Sequence, residues 1–379
     1  MARVKNRAER IPLGAPLFED ELLGELRPKP ASKALANPVL EVSMLFAADR
    51  MPSVEAAVRK ARGEAPGTYE LSVALSGAHI GVHALRPTIP AEKFVYRHRK
   101  RKGKEQPTGF GGYLPAHLAL RPVPDRLPRA LRTLARLRSG TTRRLEDGAH
   151  EATTIFPPDQ RRLFNDTAFP WCTVGLVQTP NGAGSGTMIG PRHLLTCSHV
   201  IQWNSNNTAG WVRFTPAYFD GSAPFGVAWG TRVYWEDRKV FGPTIDRSEG
   251  QHDYVCVVLD RRIGDLTGWM GSRSWSDDWD GEAYWRHIGY PGDLGGQRPS
   301  YQRDIALDGS FWDREVHTRI FHQGDVWPGQ SGGPFFAWWS GESWPRVVAV
   351  QSGQDSDENS ASGGAHMVDC VIRARNDHP

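Results

Sequence analysis

The stretch Trp327-Pro328-Gly329-Gln330-Ser331-Gly332-Gly333-Pro334 decides how the rest of the chain is read. A serine set among glycines as Gly-x-Ser-Gly-Gly-Pro meets the needs of a nucleophile turn. Gly329 lets the backbone approach a bound carbonyl, so its N–H and that of Ser331 can point at one oxygen and stabilise an oxyanion. Gly332 and Gly333 leave space around the hydroxyl, and Pro334 fixes φ where a strand begins. In isolation a plain loop between strands would read the same way, so the decision rests on partners elsewhere.

Two upstream stretches supply them. Residues 184–200 contain Gly186 to Ile189 as a strand, a turn at Gly190-Pro191, a second strand from His193 to Thr196, and then His199 in a short turn. Gln251-His252-Asp253-Tyr254-Val255-Cys256-Val257-Val258-Leu259 places one carboxylate at the mouth of an apolar strand. A serine hydroxyl is a weak nucleophile and needs a base near neutral pKa. That base needs a carboxylate to hold its tautomer and stabilise the imidazolium. The chain order His199, Asp253, Ser331 is that of chymotrypsin-type enzymes, not of subtilisins or α/β-hydrolases.

From about residue 154 to the end, the sequence resembles the trypsin-like serine peptidases, and most of all their glutamyl-endopeptidase (V8-like) branch. Thr196-Cys-Ser-His199-Val200, His252-Asp253-Tyr254-Val255, Gly289-Tyr290-Pro291-Gly292 and Gly329-Gln-Ser331-Gly-Gly-Pro334 carry the resemblance, with Thr154-Ile-Phe-Pro-Pro-Asp-Gln-Arg-Arg162 as a V8-like mature start. It implies an all-β fold of two six-stranded antiparallel barrels with the triad in the cleft between them. It also implies a serine endopeptidase acting on protein or peptide through an acyl-enzyme, with no cofactor. The rival readings are a catalytically silent peptidase-fold binding module and a nucleic-acid-binding role for the first part of the chain.

The chain of 379 residues is long enough for two or three domains. No apolar run approaches the roughly 18 residues of a membrane span. Its basic start lacks a following apolar segment, so the reading expects no signal peptide and a cytoplasmic protein, against the export that the resemblance suggests. Residues 1–150 hold 27 Lys/Arg and 15 Asp/Glu (net +12), residues 151–379 hold 19 and 27 (net −8), and all 14 Trp and all four Cys fall in the second part. A boundary near 145–155 follows.

Residues 1–37 read as a polar tail with a short helix around Leu17–Leu26. Residues 38–150 read as a basic region, beginning with a small α+β module. In it, Val39–Phe46 is a strand and Ser53–Arg62 an amphipathic helix capped by Ser53. Tyr69–Leu75 alternates as a half-buried strand with which Ile80–Leu85 could pair. The run at 93–104 and a basic helix at Leu127–Leu137 follow. Such basic runs suit nucleic acid or an anionic membrane surface, although a solvated linker is the commoner case. A third expectation is a pro-segment docked on the acidic peptidase domain, residues 154–379.

The four cysteines show no disulfide framework and, as free thiols, favour a reducing compartment. No Cys-x-x-Cys or clustered His/Cys spacing suggests a metal site. Gln330 stands where the trypsin group has an Asp that pairs with a freed N-terminus, so that switch is excluded in its usual form. The expected specificity pocket is walled by Gln351, Ser352 and Gly353, with Asp325 six residues before Ser331 at its base. The resemblance calls for a His in the wall strand of a Glu-specific enzyme; none is there, and His366 could approach from the next strand, although a packed core histidine is the commoner case.

Overall fold

The computed structural model describes residues 14–30, 40–47, 57–60, 68–75, 88–94, 109–125, 127, 155–242, 244–245, 248–309, 317–354 and 358–379. Its first barrel begins with the hairpin Val174–Thr179 and Gly182–Gly190, continues through His193–Thr196 to Val255–Leu259, and closes through Ala228–Glu236 and Arg213–Pro216. Each of these six strands is antiparallel to its neighbours in the ring. Val255–Leu259 is apolar throughout because both its faces are covered, one by the barrel interior and the other by the C-terminal helix Ala365–Asp377.

The second body is a curved sheet. Its main path runs Leu307–Gly309, Thr318–His322, Asn359–Gly363, Arg346–Gln354, Pro334–Ala337, Trp285–Gly289, Ser300–Ile305 and Arg162–Leu163. Among the described residues it remains a half-barrel, so the double-barrel architecture is present with one closed and one open member. A continuous core joins the bodies: Val174, Val177 and Leu195 of the first belong to the same buried cluster as Phe336, Trp338, Val347 and Val350 of the second.

Two registers position the later argument. Val255 faces Thr196 across the antiparallel pair, which brings Asp253 alongside Ser198 and His199, just beyond the strand ends. Pro334 faces Val350, which brings Gly332 beside Gln351 and Ser352. The Gly332 N–H donates to the Gln351 carbonyl at 2.8 Å, and the Gln351 N–H returns a bond to the Gly333 carbonyl at 2.8 Å.

Leu40–Ala47 and Thr68–Leu75 pair as antiparallel strands, close to the expected boundaries. The expected helix at Ser53–Arg62 is corrected: Ala57–Lys60 is a strand on Thr68–Leu75. Non-local pairing has overridden the local apolar period there. The segments Ile80–Leu85 and Leu127–Leu137, and the basic run after Phe94, fall outside the described residues apart from Leu127.

Other parts of the first region are built into the two bodies. Ile89–Phe94 runs parallel to Ala228–Glu236 on the first barrel, and Gly109–Phe110 pairs with Gly271–Arg273 on the second. The helix Glu19–Glu25 lies on the second body, where Glu19 forms ion pairs with Arg286 and Arg303 and Leu17 N–H donates to the Trp338 carbonyl at 2.8 Å. This helix of the tail is itself acidic, and it meets arginines.

Candidate active site

His199 and Asp253 meet as their strand register predicts. The His199 Nδ1 lies 2.6 Å from Asp253 Oδ2, and the His199 backbone N–H donates to Oδ1 at 2.9 Å. Asp253 is 0% exposed. Its second oxygen also accepts from Ser352 Oγ at 2.6 Å. Burial works against the carboxylate, but the adjacent imidazole and these donors outweigh it and hold its pKa below the usual value. Burial likewise opposes the imidazolium, yet Asp253 raises the His199 pKa well above that of an ordinary histidine. Nε2 lies 3.7 Å from Cys197 Sγ, a buried thiol that desolvation keeps protonated.

Ser331 sits on a turn fixed against the first barrel. Ser185 N–H donates to the Ser331 carbonyl at 2.7 Å, Ser185 Oγ donates to the Gly329 carbonyl at 2.8 Å, and Tyr290 N–H donates to Ser185 Oγ at 2.9 Å. Gly332 has φ +82°, and a Cβ on it would lie 2.2 Å from Thr196 Oγ1 and 2.9 Å from Cys197 N. The serine turn therefore abuts the backbone that leads into His199. Among the described residues Ser331 Oγ makes no hydrogen bond to the imidazole, and the N–H groups of Gly329 and Ser331 donate to no other group. Gly329, at φ +101°, passes so near the Tyr290 carbonyl that a Cβ would be 2.4 Å from its oxygen.

The expected pocket residues divide. Gln351 and Ser352 flank the serine turn, but the Ser352 hydroxyl is spent on Asp253 rather than on a pocket wall. Gln351 Oε1 lies 3.0 Å from His322 Nε2. Gly324 N–H donates to Nδ1 of that ring at 3.1 Å, so Nε2 carries the proton and donates to Gln351. Gln351 Nε2 in turn donates to the Gly353 carbonyl at 2.8 Å. Burial depresses His322 to a pKa of about 3, so the ring is neutral. Asp325 does not form an open pocket base: it is buried, and its two oxygens accept from Phe156 N at 2.7 Å and Gln160 N at 2.8 Å. His366 is a packed, buried histidine away from the wall strand, lying in the C-terminal helix with Nδ1 3.0 Å from Glu236 Oε1.

Sequence reasoning missed Ser185, His322 and Arg161. The first two act through strands distant in sequence, and no local pattern marks them. Arg161 Nη1 donates to Gln330 Oε1 at 3.2 Å while the same guanidinium binds Asp293 and Asp159. Gln330 Oε1 also accepts from Trp327 N at 2.9 Å. An internal arginine thus braces the serine turn at the position where a terminal ammonium does so in the trypsin group. The signal was present in Thr154–Arg162, but not its direction.

No protein-family model matches the chain. It is 27% identical over 186 residues to a glutamyl endopeptidase of Bacillus licheniformis, an alignment covering 48% of this chain and 54% of that protein. The chain thus spans about half the length of that relative. Among solved structures, a Glu endopeptidase in complex with MPD is 19% identical with a TM-score of 0.47, covering 59% of this chain and 100% of that one. The protease Anisep of Arthrobacter nicotinovorans is 17% identical with a TM-score of 0.44, covering 56% and 98%. A closed barrel joined to a half-barrel, together with that sequence similarity, makes the chain similar to the chymotrypsin-fold, trypsin-like serine peptidases.

Proposed function

We propose that this chain is a serine endopeptidase that hydrolyses peptide bonds with Ser331 as nucleophile, His199 as general base and acid, and Asp253 as the group that orients and charges-balances the imidazole. The buried 2.6 Å contact between His199 Nδ1 and Asp253, beside the fixed turn of Ser331, carries this reading. Ser331 Oγ attacks the scissile carbonyl and passes its proton to His199 Nε2. The N–H groups of Gly329 and Ser331 hold the oxyanion, and the imidazolium protonates the leaving amine, giving an acyl-enzyme and a free amino terminus. Water repeats the sequence and releases the acid.

General-base assistance supplies roughly 10²–10⁴ in rate, and each oxyanion donor about 10²–10³. The turn of Nε2 toward Cys197 is compatible with this chemistry, because catalytic hydrogen bonds that are loose without substrate tighten in the complex. A fluorophosphonate probe tests the proposal. Covalent labelling at Ser331, abolished in Ser331→Ala and strongly slowed in His199→Ala, is expected. An unlabelled, folded wild-type chain would overturn it.

A further inference from the structure

Apart from the candidate active site, four segments distant in sequence bring a second set of polar side chains together. Glu236 ends a strand of the first barrel, His252 ends the turn Gly250–His252, His317 immediately precedes the strand Thr318–His322 of the second body, and His366 opens the C-terminal helix. Glu236 Oε2 lies 3.4 Å from His317 Nε2 and 3.9 Å from His252 Nδ1. One ligand atom from each of these three residues falls within 4.8 Å of the others. His252 is 4% exposed, and its Nδ1, facing Glu236, is buried without a hydrogen-bond partner.

The far atoms of His317 and Glu236 are hydrogen-bonded, and that of His252 lies near a carboxylate. Asp237 Oδ2 lies 3.7 Å from His252 Nε2, Tyr254 Oη lies 3.2 Å from His317 Nδ1, and His366 Nδ1 lies 3.0 Å from Glu236 Oε1. Tyr254 Oη also donates to Glu236 Oε2 at 3.2 Å. A phenol has a single proton, so with that proton on Glu236 the oxygen accepts from His317 Nδ1–H. The lone pair of Nε2 then faces the carboxylate. The unpartnered His252 Nδ1 and the His317 Nε2 thus converge with a carboxylate oxygen on one point, where a cation would satisfy all three.

We infer that Glu236, His252 and His317 form a binding site for a divalent transition metal, with zinc the best match to two imidazoles and a carboxylate. Tetrahedral zinc at about 2.0–2.2 Å from each donor sets those donors roughly 3.3–3.6 Å apart. The Glu236–His317 separation is already in that range, and the other pairs need only modest closure. Partners that fix the outer atom of each ligand are what such centres use to set tautomer and orientation. The ion would join the two bodies of the fold and pin the turn that leads directly into Asp253. Its importance for catalysis rests on the proposed peptidase mechanism, whereas its existence does not.

Calorimetric titration of the chelator-treated full-length chain with zinc chloride tests this, together with thermal melting. Saturable binding at this site and a higher Tm are expected. Cobalt should give the visible d–d bands of a tetrahedral nitrogen/oxygen site without a thiolate charge-transfer band. Zinc binding should persist in Cys197→Ala, which removes the other grouping of metal-ligating side chains, Cys197, His199 and Asp253. The partly exposed position makes His317→Gln a mild variant; it and His252→Gln should each abolish the cobalt spectrum, while Tyr254→Phe should weaken binding about 10–100-fold. Absence of saturable binding to the wild type, or undiminished binding to the double variant His252→Gln/His317→Gln, would overturn the inference. Neither result depends on whether Ser331 reacts with a fluorophosphonate.

Discussion

Asp253 is wholly buried yet accepts from His199 N and Ser352 Oγ and faces His199 Nδ1. A hydrogen bond to a charged group is worth roughly 1.5–3 kcal/mol. Ser352→Ala should therefore lower stability by about that amount in denaturant titration, and it should lower kcat/KM about 10-fold through a less firmly held carboxylate. The pH profile follows from the imidazole. Burial lowers its proton affinity, the neighbouring carboxylate raises it further, and the net shift is upward. Under the proposed mechanism the neutral ring is the base, so activity should rise through a midpoint above that of an ordinary histidine. Asp253→Asn should move this midpoint down while reducing kcat by about 10⁴. A midpoint unchanged by the substitution would separate His199 from the acid limb. Gly332→Ala should abolish activity: its φ of +82° disfavours any side chain, and the added Cβ would meet the Ser185 carbonyl oxygen at 2.3 Å.

At the scale of elements, the lead-in segment Phe156–Arg161 braces the serine turn twice, through Asp325 and through Gln330. Asp325→Ala would leave two N–H groups unpaired, at a cost of roughly 1–3 kcal/mol each, readable as a lower denaturation midpoint. Arg161→Met would leave Gln330 Oε1 with the Trp327 N–H but without the guanidinium, and loosen the turn carrying the Gly329 and Ser331 N–H groups. Under the proposed mechanism, losing their alignment should reduce kcat by about 10²-fold with a smaller change in KM, as expected for donors that act on the transition state. Strands flanking the motifs were legible because their apolar runs and Gly-Pro turns are local signals. Ala57–Lys60 was not, since a short amphipathic stretch takes its form from the strand it pairs with. Asp325 was misplaced for a related reason: sequence distance from Ser331 says nothing about which way a side chain faces.

For the whole molecule, the first region supplies structure rather than merely preceding it. Leu22, Ile89 and Phe110 are buried in the cluster that holds Val177, Leu195, Phe336 and Trp338. A chain comprising residues 154–379 alone would expose those partners and open one edge of each body. It should aggregate, or melt well below the full chain, in size-exclusion and thermal-shift measurements; a monomer of equal stability would show that residues 14–125 are dispensable lodgers.

The sequence by itself marked the serine turn, the histidine and the carboxylate as candidates, and determined the class of fold. Each lies in a short motif whose glycine, proline and apolar pattern is fixed by local backbone needs. Tertiary structure alone decided that Ser352 serves Asp253, that Arg161 braces Gln330, and that Glu236, His252 and His317 converge. Those contacts join residues between about 16 and 170 positions apart, held together by strand register and barrel closure, and chain spacing carries no record of either.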